Sequence, residues 1–94
     1  MLEIYIVMSG DQYFYNHKLT KCFRDKHELA HLFRTKTNAQ HMIESKIQRF
    51  ESFIKSFNEL GYPVDEFEVE LAKWQKAKVK KVVIESIVDI SQIA

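Results

Sequence analysis

The sequence predicts an α+β fold in a single domain over residues 1–94. Apolar residues alternate with other side chains near the N-terminus, and a long central segment carries them at three- and four-residue spacing. A β-branched segment follows near the C-terminus, and the two Gly and one Pro are too few for a sandwich or a barrel. We therefore expect one small, mainly antiparallel sheet packed against helices.

The N-terminal segment predicts a β-hairpin. Four apolar residues recur at period two, as in a strand with one buried face: Leu2, Ile4, Ile6 and Met8. Ser9-Gly10-Asp11 supplies turn chemistry, and residues 12–16 are rich in aromatics that favour strands. These two strands form the start of the predicted sheet.

A short connection precedes the main helix. Residues 17–24 predict a loop or a short third strand, with three side chains directed inwards: Leu19, Cys22 and Phe23. Asp25 is a suitable cap for a short helix of two or three turns over about residues 26–33.

A long amphipathic helix is predicted over about residues 38–60. Thr37–Gln40 has the form of a capping box, Gly61 occupies the position of a C-terminal glycine cap, and Pro63 prevents continuation. The apolar residues fall within an arc of roughly 140° at 100° per residue. They are Ala39, Met42, Ile43, Ile47, Phe50, Phe53, Ile54, Phe57 and Leu60.

The segment after Pro63 fits two patterns. Phe67, Val69 and Leu71 alternate with glutamates as in a strand, but the same region also places apolar residues on one helical face. Ala72-Lys73-Trp74 breaks the alternation, so we predict a second short helix over about residues 65–77. Residues 79–88 are β-branched and apolar, which predicts a C-terminal strand, largely buried and central in the sheet.

Composition narrows the functional class. A net charge of +1 with 29% charged residues argues against disorder and against a uniformly basic surface. The single cysteine, Cys22, excludes an internal disulfide and fits a reducing compartment. The first residues lack the basic region of a signal peptide, and no apolar run approaches the length of a membrane span. We expect a cytoplasmic protein with no membrane association.

Residues 27–31 spell His-Glu-x-x-His, a motif of zinc peptidases. On a helix, His27 and His31 would share a zinc ion, and Glu28 would act as the base toward a bound water. On a helical wheel, however, both histidines lie opposite the apolar side chains of the segment and face solvent. His41, the remaining candidate for a third ligand, points away from the apolar stripe. We interpret the motif as accidental and predict no catalytic residue and no cofactor.

The most basic segment runs from residue 73 to residue 81. It contains Lys73, Trp74, Lys76, Lys78, Lys80 and Lys81. Lysines with a tryptophan are suited to contact phosphates and to stack on a base, as in an RNA- or DNA-binding protein. They are equally suited to dock onto a protein of opposite or mixed charge, or to guard the edge of a sheet. All three interpretations stay open at this stage.

Aromatic residues and the cysteine form a further group of candidates. Tyr13 and Tyr15 share one face of their strand, with Tyr5 across from them if the register allows. Such tyrosines either stabilise the sheet or act as contact hot spots. Cys22 would be a nucleophile only with a basic partner such as His17 or His27 beside it, and otherwise it is a small buried hydrophobe.

The first 43 residues carry a pattern of strands and helix positions. An apolar strand, Ile4–Val7, precedes an aromatic strand, Tyr13–Tyr15, and a short turn then leads into a helix at Ala30-x-x-Phe33-x-Thr35-Lys36-x-x-Ala39-x-x-x-Ile43. Over residues 4–43 this arrangement resembles small accessory proteins of bacteriophages and prophages. The resemblance implies a host-modulating or anti-defence role through binding, and it implies no target and no functional residue. A longer main helix and the segment 62–78 depart from the pattern.

Together these observations predict a small non-enzymatic binding protein, encoded by a phage, that docks onto a host protein or defence complex and inhibits or modulates it. It would act in the host cytoplasm as a monomer or a homodimer. The predicted contact residues are Lys73, Trp74, Lys76, Lys78, Lys80, Lys81, Tyr13 and Tyr15. The alternatives are an RNA- or DNA-binding protein that uses the basic segment with Trp74, and a zinc hydrolase that uses His27, Glu28 and His31.

Overall fold

The computed structural model describes residues 2–16 and 21–84. The strands form one antiparallel sheet in the order β3-β2-β1-β4, so the predicted α+β class is confirmed. Among these residues, neither helix combines the length and the hydrophobicity of a membrane span. In chain order the elements are β1 (Leu2–Ser9), β2 (Gln12–Phe14), β3 (Phe23–Arg24), a 3₁₀ turn (His27–Leu29), α1 (Lys36–Glu59), α2 (Asp65–Lys76) and β4 (Lys78–Ile84).

The two faces of the sheet differ because both helices pack on the same side. α1 contacts β1 and β4, and α2 contacts β1. We call this side the covered face; its strand residues in the hydrophobic core are Tyr5, Val7, Phe14, Phe23 and Val79. Side chains alternate along each strand, so the residues between them point to the other side, the open face. By register the open face carries Leu2, Ile4, Ile6, Met8, Tyr13, Arg24, Lys78, Lys80 and Val82.

The expectation that Leu2, Ile4, Ile6 and Met8 form the buried side of β1 is confirmed for Ile6, which is 6% exposed, and wrong for the other three. Val7 is fully buried against the helices, whereas Leu2 is 42% exposed and Ile4 and Met8 are half-buried on the open face. β1 is a central strand, so both of its sides carry apolar residues. Periodicity alone therefore did not show which side the helices cover.

An aromatic cluster holds the core together. Trp74 is fully buried, with its ring centroid 5.1 Å from that of Phe14 and 4.8 Å from that of Phe23. Phe14 also stacks on Phe33 at 6.2 Å. Tyr5 and Phe33 exchange two backbone hydrogen bonds of 2.8 Å, which fix the segment after the 3₁₀ turn beside β1. Aromatic contacts of this kind stabilise a small domain with one modest core.

The helix before α1 is shorter than predicted. Only one 3₁₀ turn forms at His27–Leu29; its N-cap is Lys26 and makes no side-chain capping bond, so Asp25 does not have the predicted role. Ala30 is already extended, and the His31 N–H donates to the Phe14 carbonyl at 2.8 Å. The backbone after Leu29 therefore pairs with the sheet and does not continue as a helix. The predicted inward residue Leu19 lies outside the described residues.

The main helix begins two residues earlier than predicted. The Thr35 hydroxyl accepts a 3.1 Å hydrogen bond from the Asn38 N–H, so Thr35 is the N-cap and Thr37 already lies inside the helix. Gly61 has φ +80°, as the predicted glycine cap requires. The apolar stripe contacts α2 through phenylalanines, but Leu60 at its end is 68% exposed and Lys46 lies buried within it.

The C-terminal elements are a helix and an edge strand. α2 is the helix expected over residues 65–77, so the alternative of a strand there is excluded. β4 pairs with β1 from Leu2↔Ile84 to Met8↔Lys78 and lies at the edge of the sheet, not at its centre. β1 takes the central position because it pairs on both sides. The remainder of the strand predicted over 79–88 lies outside the described residues.

Candidate functional site

The His-Glu-x-x-His segment does not form the helix that its zinc chemistry needs. His27 and Glu28 lie in the 3₁₀ turn, with the histidine Nε2 3.6 Å from the glutamate Oε1, and both side chains are exposed. His31 lies beyond the turn, half-buried, with its ring 4.8 Å from that of Phe33. The prediction that both imidazoles face solvent is therefore right for His27 and wrong for His31, because the chain becomes extended after the turn.

No described residues form a group of three or more His, Cys, Asp or Glu side chains that could hold a metal ion. His41, the third ligand that the zinc hypothesis would need, is exposed on α1. A helical pair of histidines bound to zinc and a glutamate base are the elements of that mechanism. Within residues 2–16 and 21–84, the geometry provides neither a helical pair of histidines nor a third ligand.

Trp74 is wrongly predicted as a contact residue. It is fully buried on the inner side of α2 between Phe14 and Phe23, so it cannot stack on a base or a partner. Its neighbour Lys73 is half-buried, and its carbonyl accepts a 2.6 Å hydrogen bond from the Ser9 hydroxyl. The helical arrangement of residues 65–76 explains this, because the apolar face of α2 must pack on the sheet.

Two predicted contact residues, Lys78 and Tyr13, come together with Met8 and Arg24 on the open face. The register places Lys78 opposite Met8, Met8 opposite Tyr13, and Tyr13 opposite Arg24. These residues make a row across all four strands, in which an apolar and an aromatic side chain lie between two cations. Lys80 lies beside it, opposite Ile6. We call these five residues, Lys78, Met8, Tyr13, Arg24 and Lys80, the cationic–apolar row.

The tyrosines divide between the two faces. The Arg24 guanidinium carbon lies 5.2 Å from the centre of the Tyr15 ring, so Tyr15 is held at the same end of the sheet as Arg24. Tyr5 pairs instead with Lys81 and Phe33 on the covered face. The register therefore does not allow Tyr5 to lie across from Tyr13 and Tyr15, because it turns Tyr5 to the opposite side of the sheet.

A groove follows β4, the edge strand. Lys76 and Lys78 lie at one end of it and Lys81 at the other, and the cavity volume is about 780 Å³. Lys81 points to the covered side and lies 3.6 Å from the Glu3 carboxylate, so its charge is partly compensated. Lys76, Lys78 and Lys80 are exposed, and none has an ion pair among the described residues. The basic segment therefore does guard a sheet edge, and it also borders the open face.

The open face is positive with an apolar centre. Its described strand residues include three cations, Arg24, Lys78 and Lys80, and no acidic residue. Ile6 at the centre is shielded to 6% exposure, while Ile4, Met8 and Val82 are half-buried. Sequence reasoning missed Arg24 and these aliphatic residues as parts of one surface. The signal was present in the alternation of Lys78, Lys80 and Val82, but only the strand register joins it to β1.

Cys22 does not have the environment of a nucleophile. It is fully buried, and burial together with the nearby Glu70 carboxylate raises its pKa from 9.0 to about 11. The thiol therefore stays protonated at neutral pH. Burial also lowers the pKa of Lys46, which is only 6% exposed. His17, one basic partner considered for Cys22, lies outside the described residues.

No protein-family model, curated protein or solved structure matches the chain. The resemblance of residues 4–43 to phage accessory proteins therefore continues to rest on the sequence pattern given above.

Proposed function

We propose that the chain is a small non-enzymatic binding protein that docks its open sheet face onto an acidic surface of a protein partner and so inhibits or modulates it. The cationic–apolar row carries this proposal. Tyr13 and Met8 supply contact area at its centre, and Lys78 and Arg24 supply charge at its two ends. Protein interfaces combine an apolar, aromatic core with a polar rim in the same way.

The aliphatic centre favours a protein partner over a nucleic acid. Ile4, Met8 and Val82 offer no stacking surface for bases, whereas they complement an apolar patch on a protein. The alternative, RNA or DNA binding, loses Trp74 as its stacking side chain because that ring is in the core. It retains Lys76, Lys78 and Lys80 as phosphate contacts and Tyr13 as an aromatic platform. Because of these lysines, the dependence of binding affinity on salt concentration has to be measured.

The biological setting of the proposal comes from the sequence. The resemblance over residues 4–43 supports a phage-encoded protein whose partner is a host protein or defence complex. The single cysteine supports a reducing compartment, here the host cytoplasm. The protein would act as a monomer or a homodimer by occupying a surface of its target. Catalysis and a cofactor have no place in this mechanism.

Affinity purification from a bacterial lysate, with mass spectrometry, tests the proposal. The bait is compared with a Lys78→Glu/Lys80→Glu variant, and the control is Lys36→Glu/Lys55→Glu, which reverses two exposed lysines on α1. We expect a stoichiometric partner with an acidic surface that the control retains. Affinity for the first variant should fall by about tenfold or more, because each reversed lysine opposes the charge of the partner.

The nucleic-acid alternative gives a different outcome in the same experiment. Nuclease treatment would then release the captured material, and log affinity would fall steeply and linearly with log salt concentration. A partner retained equally by both double variants would contradict docking through the open face. Recovery of no stoichiometric partner in repeated purifications would contradict the proposed function as a whole.

A further inference from the structure

A small cavity lies beside α2, between this helix and the residue Lys21. Two successive turns of the helix line it, and the loop residue Lys21 closes it on one side. Its volume is about 290 Å³, near the lower limit for ligand pockets, so it suits a group of side-chain size. Its lining residues are Lys21, Asp65, Glu66, Val69, Glu70 and Lys73.

Glu70 is the unusual member of this cavity. It is only 3% exposed, although carboxylates are rarely buried without partners. Its Oε1 accepts a 2.7 Å hydrogen bond from the backbone N–H of Lys21, a residue with φ +59°. Its Oε2 is buried and has no hydrogen-bond partner among the described residues. A buried charged acceptor in this state lacks a donor.

The neighbouring cations do not supply that donor. Lys73 and the Lys21 side chain line the same cavity, and Lys46 is close enough for its pKa to respond to the Glu70 charge. None of these ammonium groups forms an ion pair with Glu70 among the described residues. Asp65 and Glu66 add two more carboxylates at the exposed end, so acids outnumber lysines in the lining.

The geometry points to a binding site for an organic cation, a guanidinium or a primary ammonium group, whose charge pairs with the carboxylate of Glu70 at the wall of this cavity. A divalent metal ion does not fit, because the carboxylates of the described residues form no metal-binding group of three. The apolar stem of the ligand lies along Val69, and the carboxylates of Asp65 and Glu66 add attraction at the mouth. A free amine and an arginine or lysine side chain of a partner protein share this chemistry.

Tryptophan fluorescence provides the test. Trp74 is the only tryptophan of the chain and lies one helical turn after Glu70, so its emission reports on the site. The probes are butylguanidinium and butylammonium, and the neutral control is butylurea, which keeps the shape of the guanidinium without its charge. We expect saturable binding of a cation with Kd of about 1 mM or below, and binding of butylurea at least about tenfold weaker.

A second pair of probes distinguishes the source of the cation. An acetylated tripeptide with a central arginine is compared with the same peptide that carries citrulline. Tighter binding of the arginine peptide than of butylguanidinium identifies a protein side chain as the ligand. Tighter binding of the free cations identifies a small amine. Both results support the site, and equal binding of the arginine and citrulline peptides counts against it.

Glu70→Gln is the decisive variant. The amide keeps the size of the side chain and an oxygen for the Lys21 N–H, but it removes the negative charge. We expect at least about a tenfold loss of affinity for the cation. The control is Glu68→Gln, on an exposed position of the same helix that does not line the cavity, and it should bind as the wild type does.

Thermal melting followed by circular dichroism shows whether Glu70→Gln is folded. If it is not, Val69→Phe replaces it, because Val69 is 56% exposed and a larger ring there fills the cavity without entering the core. Loss of binding in that variant supports the site. The inference is overturned if no cationic probe binds saturably, if butylurea binds as tightly, or if folded Glu70→Gln retains full affinity.

Discussion

The covered and open faces of the sheet are built from the same strands but carry different chemistry. The covered face presents rings and small apolar side chains to the helices, with Phe14 and Val7 fully buried. The open face interleaves apolar residues with Lys78, Lys80 and Arg24. The difference is that one side is closely packed against the helices, while the other combines partial burial with charge. The first arrangement stabilises the fold and the second is available for contacts.

The clearest way to break this comparison is to truncate adjacent residues on opposite faces. Phe14→Ala removes a fully buried ring that contacts Trp74, Phe23 and Phe33, so the free energy of unfolding should fall by about 3–5 kcal/mol. Tyr13→Ala removes a half-buried ring from the open face and should cost less than about 1 kcal/mol. Urea unfolding measures both. Similar losses would mean that the two faces do not differ in their role.

Substitution of Lys46 is a second test of the covered side, because this residue places a charge within the apolar stripe of α1. Lys46→Met keeps most of the stem and removes the buried ammonium, so stability at neutral pH should rise by about 1 kcal/mol. The control is Lys55→Met, at an exposed position of the same helix, which should change stability by less than about 0.5 kcal/mol. A loss of stability in Lys46→Met would show that its charge is compensated in the fold.

The Lys46→Met variant also allows a test of how the free energy of unfolding depends on pH. The folded pKa of Cys22 is about 11, above 9.0, so the unfolded state loses its proton first and stability falls as pH rises from 9 to 11. Burial lowers the folded pKa of Lys46 below 10.5, so the unfolded state binds more protons and stability rises with pH up to about 10.5. The two contributions oppose each other. Lys46→Met should therefore show a steeper fall above pH 9 than the wild type in urea unfolding.

An effect of similar size concerns the N-cap of α1, the helix that shields the covered face. Thr35→Ala removes the hydroxyl that accepts from the Asn38 N–H, and it should destabilise the protein by about 1 kcal/mol. Thr37→Ala, inside the first turn, should change stability by less than about 0.5 kcal/mol. Thermal melting of both variants distinguishes the two candidate caps. A larger loss of stability in Thr37→Ala would instead support the capping box at Thr37–Gln40 that the sequence indicated.

The accuracy of the sequence-based predictions follows the range of the interactions involved. The helices α1 and α2 depend on local periodicity and on Gly61, so both could be predicted within a few residues. The helix after Asp25 was wrong because distant pairing with Phe14 and Tyr5 overrides local preference there. Trp74 was misplaced for a related reason, since its burial depends on strands that lie far away in the chain.

The candidate site also depends on contacts between residues that are far apart in the sequence. Lys78, Lys80 and Tyr13 could be selected from the sequence, whereas Met8 and Arg24 were missed as parts of the same surface. Their arrangement in one row requires the register of β1 with both of its neighbours, and a shift by one residue would send Tyr13 and Lys78 to opposite faces. No local signal in β4 determines that register, so the row became visible only with the fold.

The pairing of the first strand with the last also has a consequence for the folding pathway. β1 and β4 lie at opposite ends of the described chain, and they form the longest ladder of the sheet. The helical hairpin between them can form early from local contacts, whereas this ladder requires closure of a loop that spans most of the described residues. During synthesis β1 therefore stays unpaired with β4 until β4 has emerged from the ribosome. Its unpaired backbone is then open to pairing with other chains.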